Sequence, residues 1–419
     1  MKIKTKQMKL SEVLSLPREK HLKPKRPNMF FRTLLKIVGA KDLKATNFKP
    51  NFIGFDKLGK DEPALFLMNH SSFIDLEIAT GVLYPRPLNI VCTSDGFVGK
   101  RFLMRNLGCI PTKKFITDSK LVRDMIYTVK KLNSSILMYP EASYSFDGTA
   151  TPLPESVGKC IKMLGVSVVM IKTYGAFARD PLYNMLQKRK VDVSADFEYL
   201  LSAEEVREKS AEEIFEIVNS RFKFDNFLWQ QENKIKIDEP FRADGLNRVL
   251  YKCPVCKSER ETEGKGTTLK CNHCGASWEL DEYGKLVSDT GTFTHIPDWY
   301  AWERECVREE LLNGSYYLDL PADIRMLVDS KQIYEIGEGR LIHDQNGFNL
   351  TAANGQLNYS HSPQKSYSLY SDFYWYELGD VICIGDENAL YYCFPKTKGD
   401  FVAKTRLAAE ELYKIKKQK

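Results

Sequence analysis

The chain has 419 residues, 43% of them hydrophobic and 28% charged, a length that implies two or three units and a composition that excludes a disordered or fibrous polypeptide. Its net charge of +6 hides an asymmetry, because residues 1–50 hold fourteen Lys or Arg against Glu12, Glu19 and Asp42, a balance of +11 that leaves −5 for the remainder. Such a basic end attracts anionic lipid headgroups or nucleic acid, or is a solvated tail.

No stretch approaches the roughly eighteen uncharged apolar residues a membrane span needs, so no spanning helix is expected. No apolar signal-peptide core follows the basic start, so export is not expected and the ten cysteines belong to a reducing compartment.

In chain order, residues 1–27 are punctuated by Lys and Pro and predict a loosely ordered segment. Phe30, Phe31, Leu34, Leu35, Ile37 and Val38 recur at helical spacing with Arg32 and Lys36 opposite, which predicts a short basic amphipathic helix within a 1–50 N-terminal segment. Its apolar face either packs on the next domain, the commoner use, or enters a membrane interface.

From 51 to 235, short apolar runs alternate with helical patterns, the mark of an α/β domain with a sheet flanked by helices. The spacing predicts strands over 64–68, 88–92, 135–139 and 166–171, and helices over 118–132, 154–164 and 202–222. Polar segments follow the strand ends at 69–75 and 140–148, where open α/β sheets carry their ligand sites.

A Cys-rich unit spans 250–288. Cys253-Pro-Val-Cys256 and Cys271-Asn-His-Cys274 are two knuckles fourteen residues apart, the spacing of a four-thiolate zinc ribbon. Four thiolates leave no open coordination position, so Zn²⁺ there is structural. His273 reads as an exposed loop residue, and Cys92, Cys109, Cys160, Cys306, Cys383 and Cys393 as small buried hydrophobes. The mixed charge of 257–288 argues against a phosphate-tracking surface and hence against nucleic acid.

Residues 290–419 change to short aromatic strands broken by Gly and Asn, such as 334–336, 366–370 and 390–394, ending in a helix over 401–415. This predicts a small, mostly-β unit of pleckstrin-homology type that docks lipid or protein, with Phe373, Trp375 and Tyr376 in its core.

Of six histidines, only His70 follows directly on a predicted buried strand, and Asp75 lies five residues on. On a straight helix that offset rotates the side chain by about 140°, so the two meet only if the helix starts inside the motif, capped by Ser71 or Ser72. Asp75 would then fix the imidazole tautomer and leave the other ring nitrogen basic.

Asn69, His70 and Asp75, the Gly108-Cys-Ile-Pro-Thr-Lys-Lys114 segment, Tyr139-Pro-Glu-Ala-Ser-Tyr-Ser145 and the apolar run 166–171 together resemble, over 51–235, the four motifs of the glycerolipid acyltransferase family that includes 1-acylglycerol-3-phosphate acyltransferases. The resemblance implies transfer of a fatty acyl group from acyl-CoA or acyl-ACP to a hydroxyl of a lysophospholipid or glycerol phosphate, in phospholipid biosynthesis or remodelling. It makes His70 the general base and Asp75 its orienting partner, with no covalent acyl-enzyme. It places Asn69, Lys113, Lys114, Glu141, Ser143 and Tyr144 at the substrate, and the protein on the cytoplasmic face of an anionic membrane.

The chain departs from the family pattern at Tyr144, which stands where the third motif carries Arg; tyrosine makes no charged fork to phosphate, so Lys114 and Lys113 are left to hold it. Two other readings follow from the same residues: a lipid-binding relative without catalysis, and a zinc-ribbon adaptor for nucleic acid or protein.

Overall fold

The computed structural model describes residues 3–17, 19–116, 118–397 and 399–417. Ala64–Met68 is buried at all five positions, since none of its side chains can profit from water, and it lies at the centre of a seven-stranded sheet. The strand order is Lys49–Ile53, Ser194–Leu201, Ser167–Tyr174, Ala64–Met68, Ser135–Met138, Leu88–Thr93, Cys109–Thr112. All pairings are parallel except that between Ser167–Tyr174 and Ser194–Leu201.

The twofold alternation of a strand divides the core. Ala64, Phe66 and Met68 pack with Ile74, Ile78 and Ala79 of the helix Ile74–Val82, whereas Leu65 and Leu67 face the helices Ser119–Leu132, Ser156–Leu164 and Ala211–Phe222. Because the central strands run parallel, the loops 69–73, 94–100, 113–116 and 139–148 leave the sheet along one edge, and the site is assembled there.

The predicted helix over 202–222 is two helices, Ala203–Glu208 and Ala211–Phe222. Ser202 with Glu205 and Ser210 with Glu213 each form a complete capping box, so the second serine opens a new helix rather than continuing the first.

Residues 3–17 are ordered, against expectation. Thr5–Gln7 pairs in parallel with Ile333–Glu335, and the short helix Leu10–Leu14 buries Leu10 and Val13 in the core shared with the C-terminal half. The amphipathic helix runs longer than predicted, from Met29 to Ala45, with Asn28 capping its start. Gly39 meets the Glu77 side chain, while Phe30, Ile37 and Val38 are 68%, 65% and 63% exposed. The stripe is therefore split: Phe31 and Leu35 are half-buried against the domain, on which the helix packs, while Phe30, Leu34, Ile37 and Val38 are left exposed.

Thr262–Lys265, Thr268–Cys271, Ser277–Leu280 and Leu286–Val287 form a small antiparallel sheet beside the two knuckles. The remainder opens on an unpredicted helix, Ile296–Asn313, buried at Ile296, Trp299, Tyr300, Glu303, Val307 and Leu311. Two antiparallel meanders follow, Leu318–Leu327 through Leu357–His361 and Tyr370–Trp375 through Leu390–Pro395, joined by pairing of their first and last strands. The predicted strand at 366–370 lies mostly outside this sheet, which takes up the chain only at Tyr370. Val402–Lys417 then packs as a helix against Ile296–Asn313.

One core runs through all of these parts: Phe146, Phe177 and Phe227 join Trp278 and Leu280 of the ribbon and Phe373, Val402 and Leu407 of the C-terminal unit.

Candidate active site

The helix after the central strand starts at Ile74, inside the motif, as the His–Asp spacing requires. The cap is made from within the helix: Asp75 Oδ2 accepts the main-chain N–H of Ser71 at 2.7 Å and of Ser72 at 2.9 Å. The same oxygen lies 3.2 Å from His70 Nδ1, so the turn that caps the helix also fixes the imidazole. Asn69 ties the turn to the neighbouring strand, its Oδ1 accepting the Thr173 N–H at 2.9 Å and its Nδ2 donating to Ser71 Oγ at 3.1 Å.

Glu141 is buried and accepts on both oxygens, from the His70 N–H at 2.9 Å and the Thr151 N–H at 2.8 Å. It thereby joins the 139–148 loop to His70 through the main chain and holds position rather than facing a substrate. That loop supplies two rings to the imidazole: Tyr139 stacks at a centroid distance of 4.2 Å and Tyr144 at 3.9 Å. Two rings this close to one imidazole have room only on opposite faces. His70 is left 18% exposed, and Nε2 has no protein partner among the described residues.

Burial, with the Lys114 charge second, holds the His70 imidazole well below its usual value, so it is neutral at pH 7. Burial raises the Asp75 carboxyl to about 7 against the pull of the Ser72 and Ser71 amides, and raises Glu141 to about 7 against the Thr151 and His70 amides. A neutral imidazole with Nδ1 occupied by an acid can accept a proton only at Nε2.

Lys114 and Lys113 part company. The Lys114 ammonium lies 4.4 Å over the Tyr370 ring and forms no ion pair among the described residues; burial lowers its pKa, with Asp372 and Asp95 opposing. Lys113 turns away to donate to the main-chain carbonyls of Asp386 and Glu387, so it pins the C-terminal unit instead of reaching the site. Ser143 Oγ accepts from Arg406 Nη1 at 3.2 Å, and Tyr144 meets the imidazole with its ring.

Three contributors escaped the sequence reading. Arg406 comes from the C-terminal helix. Ser72 Oγ donates to Asp180, and Asp180 pairs with Arg179 at 2.9 Å, which in turn reaches Asp42 of the Met29–Ala45 helix at 2.7 Å. Tyr139 lay inside the motif, but nothing in spacing says that its ring turns onto His70.

Residues 49–172 match the Acyltransferase family model. The chain carries an acyltransferase-family domain. Among solved structures it is similar to the 1-acyl-sn-glycerophosphate (LPA) acyltransferase PlsC from Thermotoga maritima, at 15% identity over 46% of this chain and 76% of that one, with a TM-score of 0.35. No curated protein matches it. No helix among the described residues is long and apolar enough to cross a membrane.

Outside this domain, the sulfurs of Cys253, Cys256, Cys271 and Cys274 all lie within 4.8 Å of one another. Cys253 and Cys274 are 3.7 Å apart and Cys256 and Cys271 3.8 Å. A tetrahedron with bonds of about 2.3 Å has edges of about 3.8 Å, so the donor set fits Zn²⁺ in both size and softness. His273 is exposed and outside the cluster.

Proposed function

We propose that the protein transfers a fatty acyl group from an acyl thioester, acyl-CoA or acyl-ACP, to a hydroxyl of a lysophospholipid or glycerol phosphate. The observation that carries this reading is the His70–Asp75 pair, with Nδ1 on the carboxylate and Nε2 without a protein partner among the described residues, at the carboxyl edge of an acyltransferase-family sheet. His70 takes the acceptor hydroxyl's proton at Nε2 as the oxygen attacks the thioester carbonyl; the C–S bond breaks and the thiolate leaves. Lys114, half-buried and without an ion pair among the described residues, supplies the positive charge for the acceptor's phosphate, and Lys113 does not.

The exposed Phe30, Leu34, Ile37 and Val38, with the exposed Phe102 against Phe31 of the same helix, support docking on the inner face of an anionic membrane. The Cys253, Cys256, Cys271 and Cys274 set holds a structural Zn²⁺ that fastens the ribbon. The double meander followed by a helix supports a pleckstrin-homology type for the C-terminal unit.

One observation favours the silent lipid-binding alternative: the imidazole lies between two phenol rings, which narrows access to it. A single experiment decides. Purified protein is offered acyl thioesters with lysophosphatidate, other lysophospholipids or neutral glycerols, and thiol release is followed. Release with the parent and none with His70→Ala at an unchanged Tm is expected; turnover retained by His70→Ala overturns the mechanism, and lysolipid binding without thiol release from the parent makes the protein a binder.

A further inference from the structure

The loop that carries Tyr144 is gripped from the far end of the chain. Arg406, on the C-terminal helix Val402–Lys417, is 3% exposed; its Nη1 donates to Ser143 Oγ at 3.2 Å and to the Tyr144 carbonyl at 3.3 Å, and its guanidinium lies 4.4 Å over the Phe146 ring. Its Nε donates to Glu410 at 3.2 Å. Glu410 is itself held by Arg304 of the Ile296–Asn313 helix at 2.7 Å and by the Ser368 hydroxyl at 2.6 Å. The guanidinium is thus clamped at Nε and gives Nη1 to the hydroxyl and the main chain of two successive loop residues.

Tyr144 has no hydrogen bond to its hydroxyl among the described residues. Its ring is placed by stacking on His70 and by its backbone, and the backbone is what Arg406 holds. Phe73 adds only a tilted ring contact at 5.6 Å. We propose that Arg406 is a positioning residue of the acyltransferase site, fixing the 143–146 loop so that the Tyr144 ring stays packed on His70. The C-terminal unit is on this account a working part of the site and not an appended module. The proposal rests on His70 being the base.

The groups facing His70 are Asp75 in its own turn, Glu141 through the main chain, the rings of Tyr139 and Tyr144, and the Lys114 charge. Loss of the Tyr144 ring hydrates the imidazole, so its pKa rises toward 6.5. The full-length protein is prepared as Arg406→Gln and Arg406→Lys, each with and without Tyr144→Ala. Two quantities are read: kcat/KM for thiol release from acyl-CoA with lysophosphatidate, and the His70 ring titration by NMR.

Arg406→Gln is expected to lower kcat/KM by about tenfold to a hundredfold and to raise the His70 pKa, with Arg406→Lys between it and the parent. In the Tyr144→Ala background the same substitution is expected to add less than about twofold, because the two residues act through one another. An equal loss in both backgrounds overturns the proposal and makes Arg406 a packing residue. Should Arg406→Gln not fold, Arg406→Lys carries the same cycle. Should the parent show no acyl transfer, the functional reading fails and the NMR cycle still decides the positioning role: an unmoved His70 titration in Arg406→Lys and Arg406→Gln refutes it, and a shift abolished by Tyr144→Ala supports it.

Discussion

Replacing Asp75 by asparagine separates the two things its carboxylate does. Three N–H groups converge on Oδ2, and the two from Ser71 and Ser72 can only donate, so the asparagine must put its carbonyl oxygen there. The helix cap and the Nδ1–H tautomer both survive, and only the negative charge is lost. A carboxylate about 3 Å from an imidazolium, at an effective dielectric near 20, favours the protonated ring by about 5.5 kcal/mol; after relaxation we expect a fall in kcat of roughly 10²–10³-fold with little change in Tm.

Asp75→Ala also strips two buried amides of their acceptor, at about 1–3 kcal/mol each, and frees the ring, so it loses stability as well as activity. Because burial raises the Asp75 carboxyl to about 7, its charge fills in as pH rises through neutrality. The ratio of parent to Asp75→Asn activity should therefore grow between pH 6 and about 8. The assay is thiol release followed across pH beside thermal melts, and an asparagine enzyme within about threefold of the parent at every pH would refute the argument.

Two further outcomes follow from the fold. Ala142 adopts φ +55 between Glu141 and Ser143, a left-handed conformation that costs a non-glycine residue about 1–2 kcal/mol; Ala142→Gly removes that cost, loses about half of it again to unfolded-state entropy, and should raise Tm by about one degree in a calorimetric scan. His343 and His361 are buried in the C-terminal unit and burial depresses them to about 3 and about 4. Below the ordinary value near 6.5 the unfolded chain binds protons that the folded chain refuses, so their contribution is present above 6.5 and is lost as pH falls toward 4, by at most about 1.4 kcal/mol per pH unit for each ring. A His343→Gln/His361→Gln variant should show a shallower loss of denaturant stability between pH 6.5 and 4; an unchanged slope means that the rings titrate freely.

Much of the α/β domain was legible because its signals are local. The run Ala64–Met68 can only be a buried strand, Gly165 stops its helix by adopting φ +63, and the His70–Asp75 offset forces a helix start between them. The Ile296–Asn313 helix was legible in principle, since Ile296, Trp299, Tyr300, Glu303, Val307 and Leu311 recur at three and four residues, but its aromatic content drew the reading toward strands. The order in residues 3–17 was not legible: Thr5–Gln7 is exposed and takes its structure from a strand more than three hundred residues away.

The site itself was half legible for the same reason. A motif names the residues that share a turn, and His70 and Asp75 met as their spacing required, while Glu141 reached the same turn through the His70 main chain. What a motif leaves out is the partner that arrives from elsewhere. The loop where the resemblance expects a basic residue at 144 does receive a cation, but it is Arg406, from 262 residues further along. Phe146, two residues on, lies against Phe373 at 4.4 Å inside the core that also holds the ribbon's Trp278. A loop whose aromatic anchor is shared with another unit, and whose main chain is bonded to that unit's helix, cannot keep its geometry when that unit moves, so the edge of this sheet that carries His70 and the C-terminal half of the chain form one mechanical body.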